Sequence, residues 1–203
     1  MSDDVQTLKA DIAFMRALTD DGGNALALSG AILVVVGVAF GLVNVQYWLV
    51  YAQILELSRA WIPWLWVEGV VVAGVATPLV SRRFPTTPSA ASRGMLAAWS
   101  AVGIGITVAG VALAMGGARL GIPNFVPAVF PVVLFTLYGA AWWVAFAVKR
   151  HTWFALVAGA CFAAAIASGW LMGTAQEWLV LALGLFLLVA LPGLAIVRQA
   201  RSE

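Results

Sequence analysis

The residue in this 203-residue chain that could do chemistry by its position is Glu68, within Trp61–Arg83, WIPWLWVEGVVVAGVATPLVSRR. That stretch opens on Trp61, Trp64 and Trp66 and closes on Arg82 and Arg83, with enough apolar residues between to cross a bilayer. The distance from Trp61 to Glu68 is about 10 Å along a helix, about a third of a hydrocarbon core roughly 30 Å thick. An acid at a helix centre costs on the order of 2.5–3.5 kcal/mol to insert, which neighbouring valines at about −0.3 to −0.6 each offset. Insertion is feasible, but the carboxyl then needs a partner or a proton. Arg119 and Arg59 are the basic residues expected on its side, and Asn44, Gln46 and Asn124 are polar groups at similar depth.

Two uses of Glu68 follow. In one it binds a proton, a cation or a cationic substrate in an outward-facing cavity, with Arg119 as the counter-charge and Thr107, Thr136, Tyr138 or Ser168 converging below it. In the other it makes a hydrogen bond or ion pair that sets helix order. The single histidine, His151, follows Lys149-Arg150 and reads as a solvated loop residue, and the single cysteine, Cys161, reads as small apolar packing. A metal site needing two His, or His with several Cys, cannot be assembled from one chain. No cofactor or metal is expected. Nor is an enzyme, because the sequence holds no nucleophile–base pair at membrane depth, acidic dyad, HExxH, P-loop or dinucleotide fingerprint.

The elements that must position these residues follow from composition. Hydrophobic residues make up 63% and charged ones 10%, against roughly 25% charged in soluble domains. That much apolar surface needs lipid as its solvent. A net charge of +2 suggests no nucleic-acid partner. The apolar runs are continuous, without the alternation of a barrel strand, so helices are the spanning form. The fold class expected is an all-α integral membrane protein, six transmembrane helices in a bundle preceded by a cytoplasmic amphipathic helix. Residues 1–24 form that helix and its cap: Val5, Leu8, Ile12, Met15 and Leu18 make one stripe, and Asp20-Asp21-Gly22-Gly23 is expected to stop it. Residues 25–198 hold spans at about 27–47, 61–81, 95–115, 126–148, 152–172 and 178–197, and 199–203 form a short tail. Neither a cleavable signal peptide nor a lipidation motif is expected.

Nine of the eleven basic residues (Lys9, Arg16, Arg82, Arg83, Arg93, Lys149, Arg150, Arg198 and Arg201) fall on one side of this topology. The positive-inside bias makes that side, with both termini, cytoplasmic. Arg over Lys and abundant Ala and Gly point to a bacterial inner (plasma) membrane. The tryptophans read as an interfacial belt, with Trp48, Trp61, Trp64 and Trp178 near the outer ends. The rows Ala101–Gly105–Ala109 and Ala155–Gly159–Ala163–Ala167 suggest that the third and fifth spans are the central helices. The expected function is that of a non-enzymatic scaffold, accessory or regulatory subunit. Its partners are the lipid bilayer and another protein or a second copy. The alternative is a small proton- or cation-coupled transporter or channel using Glu68, with a small solute or cation as ligand.

Overall fold

Long apolar runs leave a backbone little choice but to satisfy its own amides, and helices are what form. The computed structural model describes residues 2–58, 61–84, 90–122 and 125–202. Its helices are α1 (Ser2–Tyr51), α2 (Ile62–Ser81), α3 (Ala90–Leu120), α4 (Phe125–Lys149), α5 (Thr152–Trp170), α6 (Ala175–Gly184) and α7 (Leu191–Ser202). A π-helical segment, Leu185–Ala190, joins α6 to α7 without a loop. No strand occurs among the described residues. Among the described residues six stretches are long and apolar enough to cross a membrane: Ala27–Tyr51, Trp64–Ser81, Ala97–Leu120, Ala128–Lys149, Thr152–Trp170 and Ala175–Ala200. Their number and positions follow the six expected spans.

Two expectations are corrected. The Asp20-Asp21-Gly22-Gly23 run does not end a separate leader helix, because α1 is continuous through it. A glycine costs a helix interior only about 1 kcal/mol relative to alanine, and no proline interrupts the amide ladder. The side chains of the stripe Val5 to Leu18 lie outside the described residues.

The second correction concerns the centre of the fold. Only 6% of the apolar stretch of α3 is buried, as for α2, against 50% for that of α1 and 56% for that running from α6 into α7. The small-residue row of α5 also points outward: Gly159 and Ala163 are exposed, while Phe154, Ala158, Cys161, Ala165 and Ser168 face inward. The tight contacts belong to α1. A methyl group at Gly30 would stand 2.6 Å from the Gly193 carbonyl oxygen, and one at Gly37 would stand 2.7 Å from the Ala190 nitrogen. Helices of this kind associate by close backbone approach, so the pair that meets at glycine becomes the axis. Helices α4 and α5 pack on each other and complete the core around Phe135, Trp142 and Leu181, while α2 packs on α1, and α3 on α4 and α1.

The π segment has a local cause and a tertiary partner. Pro192 has no amide hydrogen, and its ring crowds the carbonyl four residues back, at Leu188. A widened turn relieves that crowding, and Leu191 N–H bonds to Phe186 O instead. The Leu188 carbonyl receives a donor from another helix: Trp142 Nε1 donates to it at 3.0 Å. Trp142 is fully buried and meets Trp99 edge-on at 5.0 Å between ring centroids. It is thus a core residue and not part of an interfacial belt. Trp178 is buried too, its ring 4.5 Å from that of Tyr47, whereas Trp61, Trp64, Trp143 and Trp170 are exposed.

Tyr47 ties the start of α2 to α1 by donating its hydroxyl to the Ile62 carbonyl at 2.9 Å. Below that tie, Gly69 of α2 sits against Val43 and Phe40. Tyr47→Phe should destabilise the protein by about 1 kcal/mol, the usual net value of one such bond. Thermal unfolding in detergent should show the drop, with increased cysteine-labelling access at the α2 start. An unchanged labelling rate would mean that the hydroxyl does not hold α2.

Candidate functional site

Glu68 lies on the side of α2 turned away from α1. The inward stripe of α2 is Ile62, Leu65, Trp66 and Gly69, at helical spacing, and Glu68 instead shares the exposed side with Trp64, Val71 and Val75. Arg119, in the last turn of α3, is exposed as well. The two are not joined: neither makes an ion pair or side-chain hydrogen bond among the described residues. Arg59 and Asn124, the other proposed partners, lie outside the described residues. Asn44 is buried and donates Nδ2 to the Phe40 carbonyl at 2.7 Å.

The polar groups expected to converge beneath Glu68 are dispersed. Thr107 and Thr136 are exposed and donate to carbonyls of their own helices, at Gly103 and Val132. Tyr138 and Ser168 are buried in the core, away from the exposed side of α2. His151 is exposed beside Phe154, and Cys161 is fully buried.

One group in the core was missed by reading the sequence. Glu177 is only 2% exposed, although its place just before the sixth expected span suggested a boundary. The available signal was Thr174-Ala175-Gln176-Glu177, the pattern of a capping box ahead of an apolar run. The box forms in altered shape. Glu177 Oε2 accepts the Gly173 N–H at 2.8 Å, one residue before the cap position, and the Thr174 hydroxyl donates to the Leu171 carbonyl at 2.7 Å. Gly173 has φ of +81°, a left-handed turn that glycine adopts without strain and that turns its N–H toward α6. The second carboxylate oxygen, Oε1, is buried without a hydrogen-bond partner, as are Asn44 Oδ1 and Ser168 Oγ.

No family model, curated protein or solved structure matches this chain.

Proposed function

We propose that this chain is a non-enzymatic, multi-pass protein of a bacterial inner membrane that holds a transmembrane helix of another protein against its α2–α3 side. The basic residues near the chain ends and in the α2–α3 and α4–α5 connections would lie on the cytoplasmic face. The observation that carries the reading is the exposed carboxylate of Glu68 on a helix with only 6% of its apolar stretch buried. In a bilayer such a group, facing outward without a partner, is costly. A helix presenting a Lys, Arg or amide donor at that depth would satisfy it and cover the valines around it.

Photo-crosslinking tests this. A photoreactive residue at Val71 or Val75 should capture one membrane protein with a basic or amide residue in a span. Glu68→Leu should cut that yield by roughly tenfold, the equivalent of about 1.4 kcal/mol. Capture of lipid only, or of a second copy of this chain, would overturn the assignment to another protein. Loss of cation-driven flux in liposomes on Glu68→Gln, with no captured protein, would favour the transport use of the same carboxylate.

A further inference from the structure

We propose that the first turns of α1 pair in parallel with the same turns of a second copy, as a short two-stranded coiled coil. Helix α1 runs unbroken from Ser2 to Tyr51, and the apolar stretch within it begins at Ala27. The residues before Ala27 therefore extend that helix by roughly 37 Å, at about 1.5 Å per residue. On this backbone Val5, Leu8, Ile12 and Met15 recur at alternating three- and four-residue spacing, a heptad seam with Val5 and Ile12 at a and Leu8 and Met15 at d. Residues branched at Cβ in a, with leucine in d, favour two strands. Leu18, at g, widens the seam, Phe14, at c, has no part in it, and Thr19 and Gly22, the next a and d, end it.

The charges choose the partner and its direction. In the same register Asp4 and Asp11 fall at g, while Lys9 and Arg16 fall at e. In a parallel pair each g position meets the e position five residues further along the other helix. Asp4 then meets Lys9 and Asp11 meets Arg16, each twice by symmetry. An antiparallel pair would instead set acid against acid and base against base. With both acids at g and both bases at e, the segment complements itself, so the partner it fits is a second copy. A membrane imposes the same direction, because copies inserted alike bring their N-termini side by side. The proposal rests on the multi-pass membrane reading but uses no residue of the Glu68 side.

A lipid surface suits this segment poorly. Asp3, Asp4, Asp11, Asp20 and Asp21 stand against Lys9 and Arg16, whereas helices that lie on a bilayer are rich in Lys and Arg on the polar face and gain from anionic lipid. Two heptads would not hold two free peptides together, because helix nucleation is unfavourable and short helices are marginal in water. Here the apolar stretch supplies the nucleus, since the segment and Ala27–Tyr51 are one helix. Confinement of both copies to one membrane raises the effective concentration of the second.

The test is disulfide trapping of the full chain in liposomes at low protein density, in a Cys161→Ala background with copper phenanthroline as oxidant. Leu8→Cys and Met15→Cys, at d, should give roughly tenfold more covalent dimer than Ala10→Cys and Ala17→Cys, at f, because a disulfide needs the two Cβ atoms about 4 Å apart. Asp11→Lys combined with Leu8→Cys puts a cation opposite Arg16 in both pairs and should cut the yield by roughly tenfold. High salt should return part of that loss by screening. Adding Arg16→Asp restores opposite charges and should recover the dimer, which a folding defect would not do. Glu68→Leu should leave the yield unchanged. Retention of the chain in alkali-washed membranes, measured on the same samples, reports the membrane reading separately. The proposal is overturned by equal trapping at d and f, by no dimer at any of the four positions, or by a yield that Asp11→Lys leaves intact or Arg16→Asp fails to restore. Trapping to a different protein when the same variants are expressed in cells, with no dimer, would also overturn it.

Discussion

Gly30→Ala should lower stability by about 3 kcal/mol, the upper range for an overpacked core, and Tm by roughly 6–12 °C. The added methyl would meet backbone: the Gly193 carbonyl oxygen at 2.6 Å, with Ile196 side-chain atoms at 2.9 Å and 3.0 Å. A flexible side chain can turn aside, but a carbonyl held in a helix cannot, so α1 and α7 must separate. The reciprocal change, Gly193→Ala, would meet the Gly30 carbonyl at the same 2.6 Å and should cost about as much. Gly103→Ala and Gly159→Ala are the controls, because a methyl at either position would have nothing within 4 Å. These should unfold at or slightly above the parent temperature, alanine being the better helix former. If Gly30→Ala instead unfolds with the controls, the α1–α7 crossing described here does not exist in the folded protein.

Trp142→Phe should cost on the order of 1–3 kcal/mol for leaving the Leu188 carbonyl buried and unpaired, in addition to lost ring packing. The informative companion is Pro192→Ala, which supplies an amide hydrogen four residues after Leu188. In the parent, Pro192→Ala removes the cause of the widened turn while Trp142 still occupies the carbonyl, so its own effect should be small. In the Trp142→Phe background it should recover a large part of the loss. The four unfolding temperatures form a double-mutant cycle whose coupling reads the Trp142–Leu188 bond. Additive effects would show that the indole N–H does not compensate for the proline.

The close approach at Gly30 and Gly37 was not among the expectations, which placed the third and fifth spans at the centre. Gly37-Val38-Ala39-Phe40-Gly41 is a small-xxx-small pattern of the type that lets two helices touch. The rows of α3 and α5 have the same local form, yet the α5 row faces outward and α3 is peripheral. A row of small residues states that a helix can be approached closely, but not which helix approaches. Trp142 shows the same limit. An indole a turn or two inside a helix end suits an interface, and only the freed carbonyl of Leu188, 46 residues further along the chain, makes it a core donor. The carboxylates divide likewise. Glu68 sits deep along its span, but depth along a helix says nothing about direction around it, and only the structure turns it to the exposed side of α2. Glu177 precedes an apolar run, which does not decide its burial, and it is buried because Gly173 turns α6 back onto α5.

The sequence by itself determined the number of long apolar helices and their approximate ends. These are one-dimensional properties, set by the hydropathy of about twenty consecutive residues. Only the tertiary structure decided that α1 and the stretch from α6 into α7 form the axis, that α2 and α3 stay peripheral, and which carboxylate enters the core. Those outcomes depend on rotation about each helix axis and on contacts between residues as distant as Gly30 and Gly193, where a single methyl group or one missing amide hydrogen selects the neighbour.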